Sequence, residues 1–203
     1  EMADRGVHVA LGHSDATYEE ALACVNAGAD IFVHTYNGMS GLHHREPGMV
    51  GAAMTTHGTY AEAICDGHHL NPIAVRDLVN AKGYDHTVLI TDCMRAGGMP
   101  NGQYKLGDFP VVVEGGTARL MDESHSLAGS ILRLFEGVKN VFDWGIVSAE
   151  EAVRMASENP ARSCGIDDVC GFIRPGYDAD FIVVTKDLQL EETFLGGKSV
   201  YKA

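Results

Sequence analysis

His13, His34 and Asp92 are the residues of this chain whose types and placement could do chemistry together. Each ends a short apolar run: Val7 to Leu11 leads to His13, Ile31-Phe32-Val33 to His34, and Thr87 to Thr91 to Asp92. Two neutral imidazoles brought side by side can bind one divalent metal, and zinc, iron, cobalt and nickel all accept such ligands. Asp92 is the natural acid-base group, because a carboxylate beside such a metal can take a proton from water and return it to a departing amine. A catalytic zinc usually has three protein ligands; two are visible. The plainer reading of an aspartate after a strand is a helix cap.

Asn37, Arg45, His68 and His69 are further polar residues able to face the same pocket. Arg45 lies in the run Gly41-Leu42-His43-His44-Arg45-Glu46-Pro47-Gly48, where it could offer a planar cation to phosphate or carboxylate. The alternative for this loop is a solvated surface with an Arg45-Glu46 charge pair.

The histidines are not spaced as a helical pair, so the fold must bring them together. The apolar runs read as parallel strands, with a third at Tyr60 to Ile64 ending in Asp66-Gly67-His68-His69. Helices follow them. Thr17 with Glu20 makes a capping box and Gly28 a stop; Asn71-Pro72 opens another helix carrying Val75, Leu78 and Val79 on one stripe, closed by Gly83. Four strand-helix units, each strand ending in an ionisable residue, predict a (β/α) barrel whose strand C-termini converge on one site.

Beyond Asp92 the pattern becomes a turn-rich insert at about 96–130, with a β-hairpin around Gly115-Gly116. Amphipathic helices are expected from about Ser130 to Phe142 and from Ser148 to Ser157. Short strands are expected at Gly171–Gly176, Ala179–Thr185 and Thr193–Tyr201. This divides the chain into a barrel part, 1–170, and strands of a small β domain, 171–203.

Hydrophobic residues make up 45% of the 203 and charged residues 21%, enough apolar mass for a packed core. The net charge of -13 argues against nucleic acid or an anionic membrane surface as partner, since both would repel the chain at long range. No apolar stretch is long enough for a transmembrane helix, and no targeting segment is legible. The five cysteines are odd in number and lack a C-x-x-C pair, so a reduced cytoplasm is the default expectation.

The runs Gly12-His13-Ser14-Asp15-Ala16-Thr17 and His34-Thr35-Tyr36-Asn37-Gly38-Met39-Ser40 resemble, in wording and spacing, the N-acetylglucosamine-6-phosphate deacetylase family of amidohydrolases. So do Arg45-Glu46-Pro47-Gly48, Asp66-Gly67-His68-His69, Thr91-Asp92 and Leu127-Ala128-Gly129-Ser130, and the resemblance spans essentially the whole chain. It implies an α/β fold, the C-terminal half of a (β/α)8 TIM-like barrel followed by strands of a small β domain. It also implies metal-dependent hydrolysis of an amino-sugar-phosphate acetamide in amino-sugar catabolism, with zinc or iron as the divalent metal. By the same resemblance His13 and His34 bind the metal, and Asp92 activates water and protonates the leaving nitrogen. His69 contacts the substrate near the scissile group, Asn37, Gly38 and Arg45 hold the sugar phosphate, and Leu127, Ala128 and Gly129 line the sugar side. Members of the family are homodimers, so Arg45 is expected to act across an interface.

Cys93 after Asp92, Glu123-Ser124-His125-Ser126 and Arg133-Leu134 depart from the family pattern; they leave the fine shape of the acyl pocket open and remove no reactive group. The family's glutamate metal ligand and first barrel strands have no counterpart among these residues, and a complete barrel takes about 250. The expectation is therefore a truncated or processed piece of a longer enzyme. Two rival readings are an amidohydrolase for another amide and a noncatalytic half-barrel module.

Overall fold

The computed structural model describes residues 1–203. Four strands form one parallel sheet in chain order: β1 (Val9–Leu11), β2 (Ala29–Phe32), β3 (Tyr60–Ile64) and β4 (Thr87–Ile90). Helices α1 (Tyr18–Asn26), α2 (Gly48–Thr55) and α3 (Pro72–Lys82) occupy the crossovers. Sequential parallel strands joined through helices form an arc of a (β/α) barrel. The register runs Ala10↔Ile31, Phe32↔Ala61 and Glu62↔Val88 across the sheet.

The local signals explain the helix ends. Thr17 Oγ1 accepts the Glu20 N–H at 3.2 Å, and Glu20 Oε2 accepts the Thr17 N–H at 2.8 Å, closing the capping box before α1. Asn71 Oδ1 caps α3 by accepting the Ile73 N–H at 2.9 Å, and Pro72 fills the first turn, where its missing N–H costs nothing. Gly83 then leaves the helix at φ 84°, a conformation that favours glycine.

Strand alternation divides β3 between two environments. Ala61, Ala63 and Cys65 face the helices, in a core with Leu89 of β4 and Val75, Leu78 and Val79 of α3. The small alanines let the helices approach closely. Each large aliphatic side chain buried there contributes roughly 1.5–3 kcal/mol as an upper estimate. Glu62 and Ile64 occupy the opposite, barrel-interior face.

The insert is a three-stranded antiparallel meander, β5 (Gly102–Leu106), β6 (Phe109–Glu114) and β7 (Thr117–Leu120), packed on Met94, Ala96 and Ala128. The sequence reading has only β6 and β7, turning through Gly115-Gly116. The additional strand enters through a second tight turn, Leu106-Gly107-Asp108-Phe109, with Gly107 at φ 58°. Helix α4 (Leu134–Asp143) starts later than expected, because Ser130 is held extended in a parallel bridge to Cys93.

The second expected helix, α5 (Ala149–Ala156), breaks at Ser157 (φ -129°, ψ -69°) and is followed by α6 (Glu158–Ser163). Asn159 ties α6 to the sheet by donating from Nδ2 to Tyr84 O and Thr87 O at 2.6 and 2.7 Å. The tail is a second antiparallel sheet of β8 (Phe181–Val184), β9 (Leu190–Leu195) and β10 (Lys198–Lys202). The run Gly171–Gly176 forms no strand: both glycines have positive φ, Pro175 lacks an N–H, and Arg174 lies 4.1 Å over the Phe172 ring. Gly196-Gly197 splits the last expected strand into the β9–β10 hairpin. No helix is long and apolar enough to cross a membrane.

Candidate active site

His13, His34, Asp66 and Asp92 each stand two residues beyond the last residue of a parallel strand, so all four project from one end of the sheet. Three of them leave their strands in left-handed backbone: His13 at φ 46°, His34 at φ 29° and Asp92 at φ 48°. Such a conformation costs a residue with a Cβ roughly 1–2 kcal/mol. Only three other non-glycine residues in the chain adopt positive φ, so the strain is concentrated where the chemistry-bearing side chains are aimed.

His13 and His34 meet. Their Nε2 atoms are 2.9 Å apart, and the rings stand perpendicular with centroids separated by 4.6 Å. Gly38 makes room for this pair: a Cβ there would lie 2.7 Å from His13 Nδ1, and its φ of 60° already favours glycine. The Gly38 carbonyl also accepts the Ser14 N–H at 2.9 Å, which anchors the loop against the end of β1.

With both Nε2 atoms unprotonated, the two rings could serve as a ligand pair for a divalent metal. His34 Nδ1 is buried without a hydrogen-bond partner. No cluster of three or more His, Cys, Asp or Glu side chains suited to a metal occurs in the chain. The donor set therefore fits a metal with two imidazoles, one ligand fewer than a catalytic zinc usually takes from its protein.

Asp92 is presented by a clamp. Its carbonyl accepts the Ser130 N–H at 2.8 Å, Ser130 O accepts the Met94 N–H at 2.9 Å, and Ser130 Oγ donates to Thr91 O. Gly129, at φ 61°, carries the chain past this point, where a Cβ would sit 3.1 Å from Asp92 O. The Leu127–Ser130 segment thus fixes the backbone that aims the carboxylate.

Asp66 organises His69. Asp66 Oδ1 accepts the His68 and His69 N–H groups, both at 2.8 Å, and Oδ2 lies 2.7 Å from His69 Nδ1. Burial would push the Asp66 carboxyl up, but hydrogen bonds from the His69 ring and from both N–H groups outweigh it and hold the carboxyl below its usual range. An ionised Asp66 can only accept, so Nδ1 carries the proton and Nε2 is the nitrogen left for a ligand.

Glu62 lies behind the pair on β3. Its Oε2 accepts the His34 N–H at 3.2 Å. Burial raises its carboxyl above the ordinary value, with the charge of Asp92 adding to the rise while the His34 N–H and ring oppose it.

One cavity of about 670 Å³ gathers most of the expected site. His13, His34, Asn37, Gly38, His69, Asp92, Leu127, Ala128 and Gly129 all line it. Arg45 and His68 do not. Arg45 is exposed in its loop with Nη1 2.7 Å from His44 Nε2, and it forms no pair with Glu46. Sequence reasoning missed Leu106 and Phe109, which the turn of the meander brings to the cavity, and Ile64, whose inward direction follows only from the β3 register. It also missed Asp66 and Glu62 as partners of the histidines; the only available signal was their placement on the strand that carries His69.

The chain matches the amidohydrolase family over residues 1–200. It is 46% identical over 198 residues to an N-acetylglucosamine-6-phosphate deacetylase of Vibrio furnissii, covering 98% of this chain and 49% of that protein. It is 43% identical over 197 residues to an N-acetylgalactosamine-6-phosphate deacetylase of Escherichia coli O157:H7, covering 97% and 52%. The N-acetyl-D-glucosamine-6-phosphate deacetylase of Mycobacterium smegmatis, solved as a variant in complex with N-acetyl-D-glucosamine-6-phosphate, superposes with a TM-score of 0.92 at 32% identity, covering 98% of this chain and 52% of that one. The chain thus spans about half the length of the curated relatives it matches. Its fold class is α/β, the C-terminal half of a (β/α)8 barrel followed by strands of a small β domain. Metal dependence is general among amidohydrolases, and by its sequence, its strand-end residues and its fold this chain belongs to the amidohydrolase family.

Proposed function

We propose that this chain carries the catalytic face of a metal-dependent deacetylase that hydrolyses the acetamide of N-acetylglucosamine 6-phosphate to glucosamine 6-phosphate and acetate. The observation that carries this reading is the 2.9 Å approach of the His13 and His34 Nε2 atoms in the cavity that also holds Asp92 and His69. His13 and His34 would hold the metal; the family resemblance favours zinc or iron, while two imidazoles alone do not choose among zinc, iron, cobalt and nickel. When bound, the metal supplies Lewis-acid polarisation of the acetyl carbonyl and lowers the pKa of water.

The chain's own groups do the rest. Asp92 takes the proton from the attacking water and delivers it to the amide nitrogen as the carbon–nitrogen bond breaks, leaving acetate and a free amine. His69, with Nδ1 held by Asp66, presents Nε2 to the substrate beside the scissile group, where a donor stabilises the developing oxyanion. Asn37 and the Gly38 backbone bind the sugar phosphate, and Leu127, Ala128 and Gly129 with Phe109 close the sugar side and exclude water. Arg45, exposed and outside the cavity, reaches phosphate from a neighbouring subunit of a homodimer. Residues 1–170 form the barrel part and 171–203 the strands of the β domain, and the five free cysteines fit a reducing, cytoplasmic setting.

The 43% identity to an N-acetylgalactosamine-6-phosphate deacetylase supports a second reading with the C4 epimer as substrate. Acetate release measured on both sugar phosphates, with and without added zinc, decides between them. Higher kcat/KM on the gluco substrate supports the first reading. A preference for the galacto epimer supports the second, and metal-independent or absent release from the full-length enzyme overturns both.

A further inference from the structure

β2 loses its ladder just where His34 must be aimed. The β2–β3 pairing ends at Phe32↔Ala61, and the next N–H, that of Val33, donates back to Leu11 O at 2.8 Å. The two N–H groups after it both go to a single residue of β3: His34 N–H to Glu62 Oε2 at 3.2 Å and Thr35 N–H to Glu62 O at 2.8 Å. The Glu62 main-chain oxygen receives the Thr35 N–H, and the His34 N–H is received by the Glu62 side chain. Glu62 is half-buried on the barrel-interior face and forms no ion pair; its one hydrogen bond through the side chain is to the His34 backbone. Desolvating a carboxylate without a cation is costly, and the His34 N–H is the one hydrogen bond that offsets it here.

We propose that Glu62 is a positioning residue for His34: its carboxylate fixes the left-handed turn at φ 29° that points His34 Nε2 at His13 Nε2. Metal affinity of the histidine pair then depends on a side chain that bonds to neither ring. This rests on the metal-site reading above, so the test includes one measurement that does not.

The chain is titrated with Co²⁺, followed by its visible spectrum, as wild type, Glu62→Gln, Glu62→Ala and Glu62→Met. Amide exchange of the His34 N–H is measured on each protein without metal. Gln keeps an acceptor oxygen, so its affinity and exchange stay within about threefold of wild type. Ala and Met lose the acceptor, so affinity falls on the order of 10–100-fold and the His34 N–H exchanges at least about tenfold faster. Met preserves side-chain volume and carries the comparison if the Ala variant fails to fold. Unchanged affinity and exchange in Met overturn the proposal. Affinity as weak in Gln as in Met also overturns it, by assigning Glu62 a role through charge, as a ligand would have. If wild type binds no Co²⁺ the metal reading fails, and the exchange rates alone still decide whether Glu62 holds His34.

Discussion

The Nε2 atoms of His13 and His34 face each other across 2.9 Å, although 21 residues and a whole helix separate them in the chain. Both side chains leave successive parallel strands at the same offset and in the same left-handed backbone, so the sheet register sets their separation. Gly38 guards it. A methyl group at that position would press on His13 Nδ1 from 2.7 Å. Gly38→Ala is expected to weaken metal binding by about tenfold or more and to cost roughly 1–3 kcal/mol of stability from the positive φ. Calorimetric titration of metal and urea unfolding of the variant check the two parts separately.

Asp92→Asn removes the proposed proton acceptor while leaving both imidazoles in place. Metal content is expected to be unchanged and kcat of the full-length enzyme to fall roughly 10²–10⁴-fold. Metal analysis beside an acetate-release assay tests this, and joint loss of metal and activity would make Asp92 a ligand.

Asp66→Asn keeps an oxygen for the two N–H groups but takes the charge from beside His69. The expected result is a fall of about 10–100-fold in kcat/KM with little change in metal affinity. Stability responds to pH in a defined direction. Because the folded Asp66 carboxyl sits below its usual range, its contribution is fully present above about pH 4 and is lost as pH falls through the folded value. Thermal unfolding of wild type and variant should therefore differ at neutral pH and converge in acid.

Lys82 sits at the other end of the barrel, with Nζ donating to Thr56 O at 2.6 Å and Thr59 Oγ1 at 2.5 Å. Burial pushes its ammonium down to about 8. Between that value and the ordinary one near 10.5 the unfolded chain binds more protons than the folded one, so stability rises with pH across this window. Lys82→Met removes the dependence. The wild-type free energy of unfolding should gain on the order of 1–3 kcal/mol relative to the variant between pH 8 and 10, measured by urea melts.

The strand ends were the legible part of the sequence because each changes abruptly from apolar residues to one ionisable residue, as at Ile90-Thr91-Asp92. Helices α1, α3 and α5 were legible from their caps, which are local chemistry: Thr17 with Glu20, Asn71 with Pro72, Ser148 with Glu151. What depends on pairing between distant segments was not legible. Ser130 begins a helix by pattern, but the bridge to Cys93 keeps it extended. Leu106 and Phe109 look like turn residues until the meander turns them onto the cavity. Glu62 reads as a polar interruption of an apolar strand, and only the β2–β3 register sets its carboxylate under the His34 N–H.

The most direct measurement is metal stoichiometry of the chain by Co²⁺ or Zn²⁺ titration, compared among wild type, His13→Ala and His34→Ala. A site shared by the two imidazoles gives one metal per wild-type chain and loss of binding in each single variant, since one remaining histidine makes too poor a site. Binding that survives either substitution undiminished would contradict a metal centre built on His13 and His34.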